Sequence, residues 1–360
     1  MLVKTSLWHG RRVLVTGHTG FKGGWLSLWL HQLGAKVTGF ALPAPTEPSF
    51  FEQTRLAALV QHIEGDVRDL DAVDAAVRES QPEVVFHLAA QPLVRYSYDN
   101  PVETYATNVQ GTVHVLDACR RTDSVRAIVS VTSDKCYENR EWVWPYRESD
   151  PMGGHDPYSS SKGAAELVIA AYRRSYFQTG ARLASVRAGN VIGGGDWALD
   201  RLIPDIVRAM LAGQRPLIRN PNSIRPWQHV MEAVGGYLQI AERLLEGEDE
   251  FASAWNFGPS EEDARPVAWI VERMLELWGA QGWDQPDAEQ PHEATLLKLD
   301  CSKARNALGW RPRFSLDEAL EKVVAWHKDV AAGGDARDLS LGQLREYGAL
   351  GTVGTGASAA

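Results

Sequence analysis

Cysteine is scarce in this 360-residue chain, and the three that occur, Cys119, Cys136 and Cys301, stand far apart and form no CxxC pair. An odd, scattered set of this kind excludes a disulfide framework and a structural zinc site, so no metal is expected. Hydrophobic runs of bilayer-spanning length are missing as well. The opening stretch MLVKTSLWHGRR holds no apolar segment long enough for a signal peptide. A reducing cytoplasm is the setting these absences predict, with no membrane partner. Basic excess is also lacking. The formal net charge is −9, which argues against a broad surface for nucleic acid or an anionic membrane. Anionic ligands must then be met by local basic groups. No internal repeat is visible, and no linker is long enough to separate the halves.

What is present is a rhythm. In the first half, short β-branched runs alternate with longer helix-like stretches, the pattern of a parallel sheet covered by helices. Strands are expected at Val13–Thr16, Lys36–Leu42, Gln61–Glu64, Val84–Ala89, Ala127–Thr132 and Leu183–Arg187, and helices at Gly23–Leu33, Asp69–Glu79, Val102–Arg121 and Tyr158–Tyr176. The strands are nearly continuous in apolar character, as strands buried on both faces should be. Right-handed crossovers then give an α/β fold, a doubly wound parallel Rossmann sheet. Past about Gly189 the rhythm breaks. Residues 1–189 are read as the dinucleotide-binding domain. Residues 190–330 are read as a smaller mixed α/β lobe that exchanges segments with it, and 331–360 as a partly disordered extension ending in the small, polar Gly351–Ala360. In the lobe a helix interrupted by Pro204 is expected over Asp200–Ala212, with short strands at Trp255–Gly258 and Leu296–Asp300.

The first strand runs straight into Gly17-His-Thr-Gly-Phe-Lys-Gly23. Glycines at this spacing permit a tight turn and let a pyrophosphate approach backbone N–H groups at a helix N-terminus. Gly17, His18, Gly20, Phe21, Lys22 and Gly23 are therefore candidate cofactor residues, although the His18 and Lys22 side chains either approach the phosphates or face solvent. Asp66-Val67 follows the third strand, where an acid and a backbone amide can meet an adenine edge. Leu88-Ala89-Ala90-Gln91 ends the fourth strand with small residues suited to a ribose, and Asn108 is placed to satisfy a strand backbone. Each alone suits a structural role; their order suggests a dinucleotide site. Tyr158 and Lys162 lie four apart on one helical face. A nearby ammonium and an oxidised nicotinamide both favour phenolate, which would make Tyr158 a base. A YxxxK pair by itself usually marks a solvated helix face, and the glycine turn upstream changes that reading.

TGHTGFKG, HLAAQ and YSSSK, each on its expected element, resemble the extended short-chain dehydrogenase/reductase (NAD-dependent epimerase/dehydratase) family, to about Trp326. The resemblance implies Tyr158 as base, Lys162 on the nicotinamide ribose, Ser133 on a sugar hydroxyl, and a homodimer or dimer of dimers built on the helices at Val102–Arg121 and Tyr158–Tyr176. It also implies a nucleotide-sugar substrate and a place in deoxysugar building for polysaccharide. Thr132-Ser-Asp-Lys-Cys-Tyr137 is similar to the nucleotide-sugar 4,6-dehydratases of that family, whose acid–base groups follow the serine or threonine, and Asp134-Lys135 resembles the version that implies CDP-glucose as substrate. Oxidation at C4 acidifies the C5 hydrogen; Lys135, neutral through burial and nearby positive charge, is then the base, and Asp134, kept protonated by burial, the acid at C6. The family pattern also carries over to Asn190, Arg201, Arg225 and His292 for the nucleotide sugar, with Lys298 near them, while Trp227 either stacks on the base or packs.

One departure stands out. No acid follows the second strand before Glu47, and no arginine suited to a 2′-phosphate is there either. The choice between NAD and NADP stays open on that point. NAD is preferred because the reaction regenerates its own oxidised cofactor. Three functions remain in view: a CDP-glucose dehydratase, a C4 epimerase or a dehydratase for another nucleotide (dTDP-glucose, GDP-mannose), and a non-catalytic nicotinamide sensor. Asp134-Lys135 argues against an epimerase; the presence of both Tyr158 and Lys162 argues against the sensor.

Overall fold

Strands whose residues are apolar at every position need cover on both faces, and the computed structural model, which describes residues 3–286 and 297–348, supplies it. Among the described residues nine strands are defined: β1 (Arg12–Thr16), β2 (Lys36–Ala41), β3 (Gln61–Glu64), β4 (Val84–His87), β5 (Ala127–Val131), β6 (Arg182–Ala188), β7 (Asn190–Ile192), β8 (Trp227–His229) and β9 (Ala254–Phe257). Seven of them form one parallel sheet in the order β3-β2-β1-β4-β5-β6-β9. Alternate residues divide between two apolar layers. Val13, Val15, Val84, Phe86, Val129 and Val186 meet the helices Phe21–Gln32 and Val230–Leu245. Leu14, Val85, Ile128 and Leu183 meet Leu70–Ser80, Gly111–Arg120 and Pro157–Ser175. The strand order reverses between β1 and β4, which opens a crevice at the carboxyl ends of the strands, the usual ligand position in such sheets.

Four expectations change. The helix expected over Val102–Arg121 is three pieces in line: Pro101–Tyr105, a π-turn over Ala106–Gln110, and Gly111–Arg120. The widened turn aims Asn108 inward. The helix expected to be interrupted at Pro204 runs unbroken from Leu202 to Leu211, because proline in the first turn removes no intrahelical bond. The strand expected at Trp255–Gly258 is not in the smaller lobe; it is β9, the edge of the main sheet beside β6. Of the strand expected at Leu296–Asp300, the described residues make only a single bridge, with Tyr146 N–H donating to Lys298 O (2.9 Å) and Asp300 N–H to Tyr146 O (2.8 Å).

The remaining residues gather around a separate apolar cluster containing Ile203, Val207, Ile218, Ile270, Met274 and Leu320. Above it β7 and β8 form a two-stranded parallel ribbon. The Ala336–Glu346 helix returns to the main core through buried Leu344 and a bond from Trp326 Nε1 to Ser340 Oγ (3.0 Å). The tail expected at Gly351–Ala360 lies outside the described residues. All three cysteines are buried and free. Among the described residues no helix is long and apolar enough to cross a membrane, and no group of three metal-ligating side chains occurs.

Candidate active site

β1 ends in a glycine turn whose shape side chains would destroy. Gly17 has φ +78°, and a Cβ there would stand 2.7 Å from Ala89 N. A Cβ on Gly23 would meet Gly17 O at 2.1 Å. Gly20 is the extended N-cap of the Phe21–Gln32 helix and offers it no side-chain bond, so the N–H groups of the first turn are left for an anion. Thr16 Oγ1 accepts from the N–H groups of Leu88 and Ala89 (both 3.2 Å), which holds half-buried Leu88, Ala89 and Ala90 against the turn. Asn108 locks the next residue from both sides: its Oδ1 accepts from Gln91 N (2.8 Å), and its Nδ2 donates to Gln91 O (3.0 Å) and Ser161 Oγ (2.9 Å). Asp66 is tied to Arg68, and the carbonyl of buried Val67 meets His114 Nδ1 at 2.9 Å.

His18 does neither of the two things considered for it. It has no exposed surface, lies over Gly39 of β2, and places Nε2 2.7 Å from His62 Nδ1. Burial, then the neighbouring His62, bring its pKa down to about 3, so the ring is neutral. Lys22 turns the other way, into the crevice, where burial and the charges of Arg201 and Lys162 bring it down to about 8.

Past β5 the chain makes a short turn, Ser133–Cys136. Ser133 Oγ donates to Asp134 Oδ1 (3.0 Å) and accepts from Lys135 N (3.2 Å). Its hydroxyl also faces the phenol of Tyr158, whose pKa it lowers. Tyr158 and Lys162 share the inward face of the Pro157–Ser175 helix, 8% and 5% exposed, and Asp156 caps that helix through Ser159 N (2.9 Å). Burial raises the Asp134 carboxyl above its ordinary value, with Lys135, Ser133, Arg225 and Lys22 pulling the other way; the result favours a held proton. Burial also lowers Lys162 to about 8. Burial lifts Tyr158 to about 12, more than the neighbouring Ser133 hydroxyl offsets. Lys135 is half-buried, and its ammonium makes no ion pair among the described residues.

Beneath this turn lies a buried clamp that the sequence reading missed. Glu166 accepts from Thr132 Oγ1 (2.5 Å), Ser185 Oγ (2.9 Å) and Arg187 (2.8 Å); Arg187 also donates to Tyr137 Oη (2.7 Å). The signal was a charged residue, Arg187, inside an otherwise apolar strand, and a glutamate one helical turn after Lys162.

Toward the smaller lobe, Asn190 opens β7, half-buried. Arg201 pairs with Asp196 (3.2 Å), and its charge is felt at Lys22 and Tyr158. Arg225, 7% exposed, acts on Asp134. Trp227 packs in the lobe's apolar cluster. Lys298 contributes its backbone to the Tyr146 bridge, and His292 lies outside the described residues. The fold thus brings Lys22, Ser133, Asp134, Tyr158, Lys162, Arg201 and Arg225 around one crevice.

Residues 14–323 match the family model described as GDP-mannose 4,6 dehydratase. A CDP-glucose 4,6-dehydratase from Salmonella typhimurium is 54% identical over 96% of this chain and 98% of its own length. Among solved structures, a dTDP-glucose 4,6-dehydratase from Streptomyces venezuelae with NAD bound shares the fold, with a TM-score of 0.76 at 24% identity over 90% of this chain and 99% of that one. A Thermus thermophilus UDP-glucose 4-epimerase in complex with NAD is 25% identical, with a TM-score of 0.75 over 88% of this chain and 99% of that one. The chain belongs to the GDP-mannose 4,6 dehydratase family, within the extended short-chain dehydrogenase/reductases.

Proposed function

We propose that this enzyme is a hydro-lyase that uses NAD to convert CDP-glucose to CDP-4-keto-6-deoxyglucose and water. The observation that carries the reading is the Ser133–Asp134–Lys135 turn: an acid buried so as to keep its proton, bonded to the serine that also touches Tyr158. The 54% identity to a CDP-glucose enzyme along nearly the whole chain supports the nucleotide.

The glycine cradle fits a dinucleotide, since a Cβ at Gly17 or Gly23 would fill it and the helix N-terminus is uncapped. Gly17, Gly20, Phe21, Lys22 and Gly23 hold the pyrophosphate, with neutral His18 turned under the loop. Asp66 and Val67 line the adenine, Leu88 to Gln91 the ribose, and Asn108 keeps Gln91 in place. No basic pocket for a 2′-phosphate follows β2, which supports NAD. Bound NAD⁺ supplies the hydride acceptor at C4 and, once reduced, the donor at C6. Tyr158 takes the O4 proton, its phenol lowered for that step by Ser133, Lys162 and the positive ring. Ser133 holds O4. Lys135 removes the C5 proton that the new C4 carbonyl has acidified, the C6–O bond breaks, and Asp134 gives that oxygen its proton, so water leaves. The C5 proton returns as C6 is reduced, with no net redox change. Asn190, Arg201 and Arg225 hold the nucleotide diphosphate, where arginine's planar fork suits phosphate oxygens.

Residues 1–189 serve the cofactor and 190–330 the nucleotide sugar, with 230–257 returning to the sheet. A homodimer is supported by the exposed apolar side chains Val102, Tyr105, Leu167 and Tyr176 on the two helices that would pair. Unpaired cysteines accord with a cytoplasmic setting. Incubation with CDP-glucose, dTDP-glucose and GDP-mannose in turn, with and without NAD⁺, should show loss of one water from CDP-glucose alone by mass spectrometry. Unchanged mass with altered stereochemistry would transfer the assignment to an epimerase.

A further inference from the structure

The Val230–Leu245 helix packs against β5, β6 and the Phe21–Gln32 helix and is buried along nearly its whole length. At its middle Tyr237 has no exposed surface. The ring meets Phe257 edge-on at 5.9 Å, and the Lys22 ammonium stands 5.9 Å from its centroid. A buried tyrosine ordinarily gives its hydroxyl a partner. This hydroxyl has none among the described residues. The charged groups it feels are those of the site itself, Asp134 first and then Tyr158. Asp134, 3% exposed, has an orphan of its own: Oδ1 accepts from Ser133, while Oδ2 is buried without a partner among the described residues. A donor on the helix that packs against β5 and an acceptor on the turn that follows β5 are thus both left over, neither bonded to the other.

Resting on the dehydratase reading, we propose that Tyr237 is a positioning residue for Asp134, its hydroxyl donating to Oδ2 during turnover while Oδ1 carries the proton given to the C6 oxygen. Ser133 frees Oδ1 when it turns to the sugar O4. As water leaves, the electron pair of the C5–H bond becomes the C5–C6 double bond, the C6–O bond breaks, and the Asp134 proton passes to oxygen. A carboxylate then remains in a buried place, and a phenol donor stabilises it at that moment. Burial holds Tyr237 above its ordinary pKa, so it keeps its own proton and donates without competing as an acid. The other groups facing Asp134 are Ser133, Lys135 and the Cys136 thiol on its own turn, Tyr158 on the Pro157–Ser175 helix, Lys22 on the Phe21–Gln32 helix and Arg225 ahead of β8. None of them supplies a bond to Oδ2.

Tyr237→Phe in the NAD-loaded enzyme tests this, because it removes only the orphan hydroxyl. With CDP-glucose, kcat should fall about 10-fold. The high-pH limb of kcat should move upward by about one pH unit: losing a donor raises the acid's pKa, and activity needs the protonated acid. Reduced nicotinamide should build up in the steady state, since elimination is slowed and C4 oxidation is not. Tm should stay level or rise. An unchanged kcat and pH limb would show that the phenol only packs. A drop in Tm would make its hydroxyl structural, and an effect confined to the KM for NAD⁺ would make it a cofactor contact; each of these overturns the proposal. If the unaltered protein itself releases no water from CDP-glucose, the functional reading fails first and the proposal falls with it.

Discussion

The two halves of the molecule are held together in different ways. Residues up to Ala188 are organised by regular pairing: the inner strands of the sheet contribute alternate apolar residues to two layers, and polar side chains act mainly at the carboxyl edge. The second half has short strands and long connections, and its anchors are buried polar side chains. Gln228 Nε2 donates to Phe257 O (2.7 Å), and Asn256 Nδ2 to Tyr146 O (3.0 Å). Glu232 accepts from Phe314 N (2.9 Å) and Tyr347 Oη (2.7 Å), tying the C-terminal segment to the Val230–Leu245 helix. Regular pairing tolerates change and gives a rigid edge. Point anchors place loops around a ligand, and they expose the lobe to pH. The Ser133–Lys135 turn stands on the seam, rooted in β5 but charged by Lys22 from one half and Arg225 from the other.

That contrast can be broken at three places. The largest effect should come at the seam. Asp134→Asn keeps the shape of the turn and removes the acid, so release of water from CDP-glucose should fall about 10³-fold. Oxidation at C4 should persist, visible as reduced nicotinamide that accumulates on mixing; equal loss of both steps would deny Asp134 its separate role. Next is the anchored half. Burial raises Glu232 from its ordinary 4.5 to about 7, more than the bonds from Phe314 and Tyr347 offset. Because the folded value lies above the unfolded one, the stability it contributes is complete below about pH 4.5 and is lost as pH rises through about 7. The loss amounts to about 3 kcal/mol. Urea titrations across that window should show it, and Glu232→Gln should flatten the slope. Smallest is the regular half. Gly17→Ala puts a side chain at φ +78° and 2.7 Å from Ala89 N, which should remove about 2 kcal/mol of stability. Cofactor affinity should weaken with it, measured by titration with NAD⁺; an unchanged Tm and affinity would show that the turn yields more than its geometry allows.

The same contrast explains what could be read in advance. Runs such as Val84-Val-Phe-His and Ala127-Ile-Val-Ser-Val announce buried parallel strands by composition alone, and the six strands expected there lie within a residue or two of those found. The glycine turn, Tyr158, Lys162 and the Ser133 turn were legible because tight turns and helix faces are local matters. Long-range placement was not. Nothing local in Ala254–Phe257 says that it leaves the lobe to join β6, and Pro204 reads as a break until its place in the first turn is known. His18 reads as a phosphate or solvent residue, and only the absence of a side chain on Gly39, on the adjacent strand β2, lets it fold under. Tyr237 carries no signal at all, since a tyrosine in an amphipathic helix reads as core. How far Tyr158 is buried, which lifts its phenol to about 12 before any cofactor binds, is likewise a property of the packed fold and could not be read locally.

The central claim is that oxidation at C4, elimination across C5 and C6, and reduction at C6 occur on one sugar in one site. CDP-glucose carrying deuterium at C4 tests it most directly. The account predicts that the 4-keto-6-deoxy product bears that deuterium at C6, with a solvent hydrogen at C5 when the reaction is run in the opposite isotope of water. Deuterium lost to solvent, or still at C4 in an inverted sugar, would contradict it.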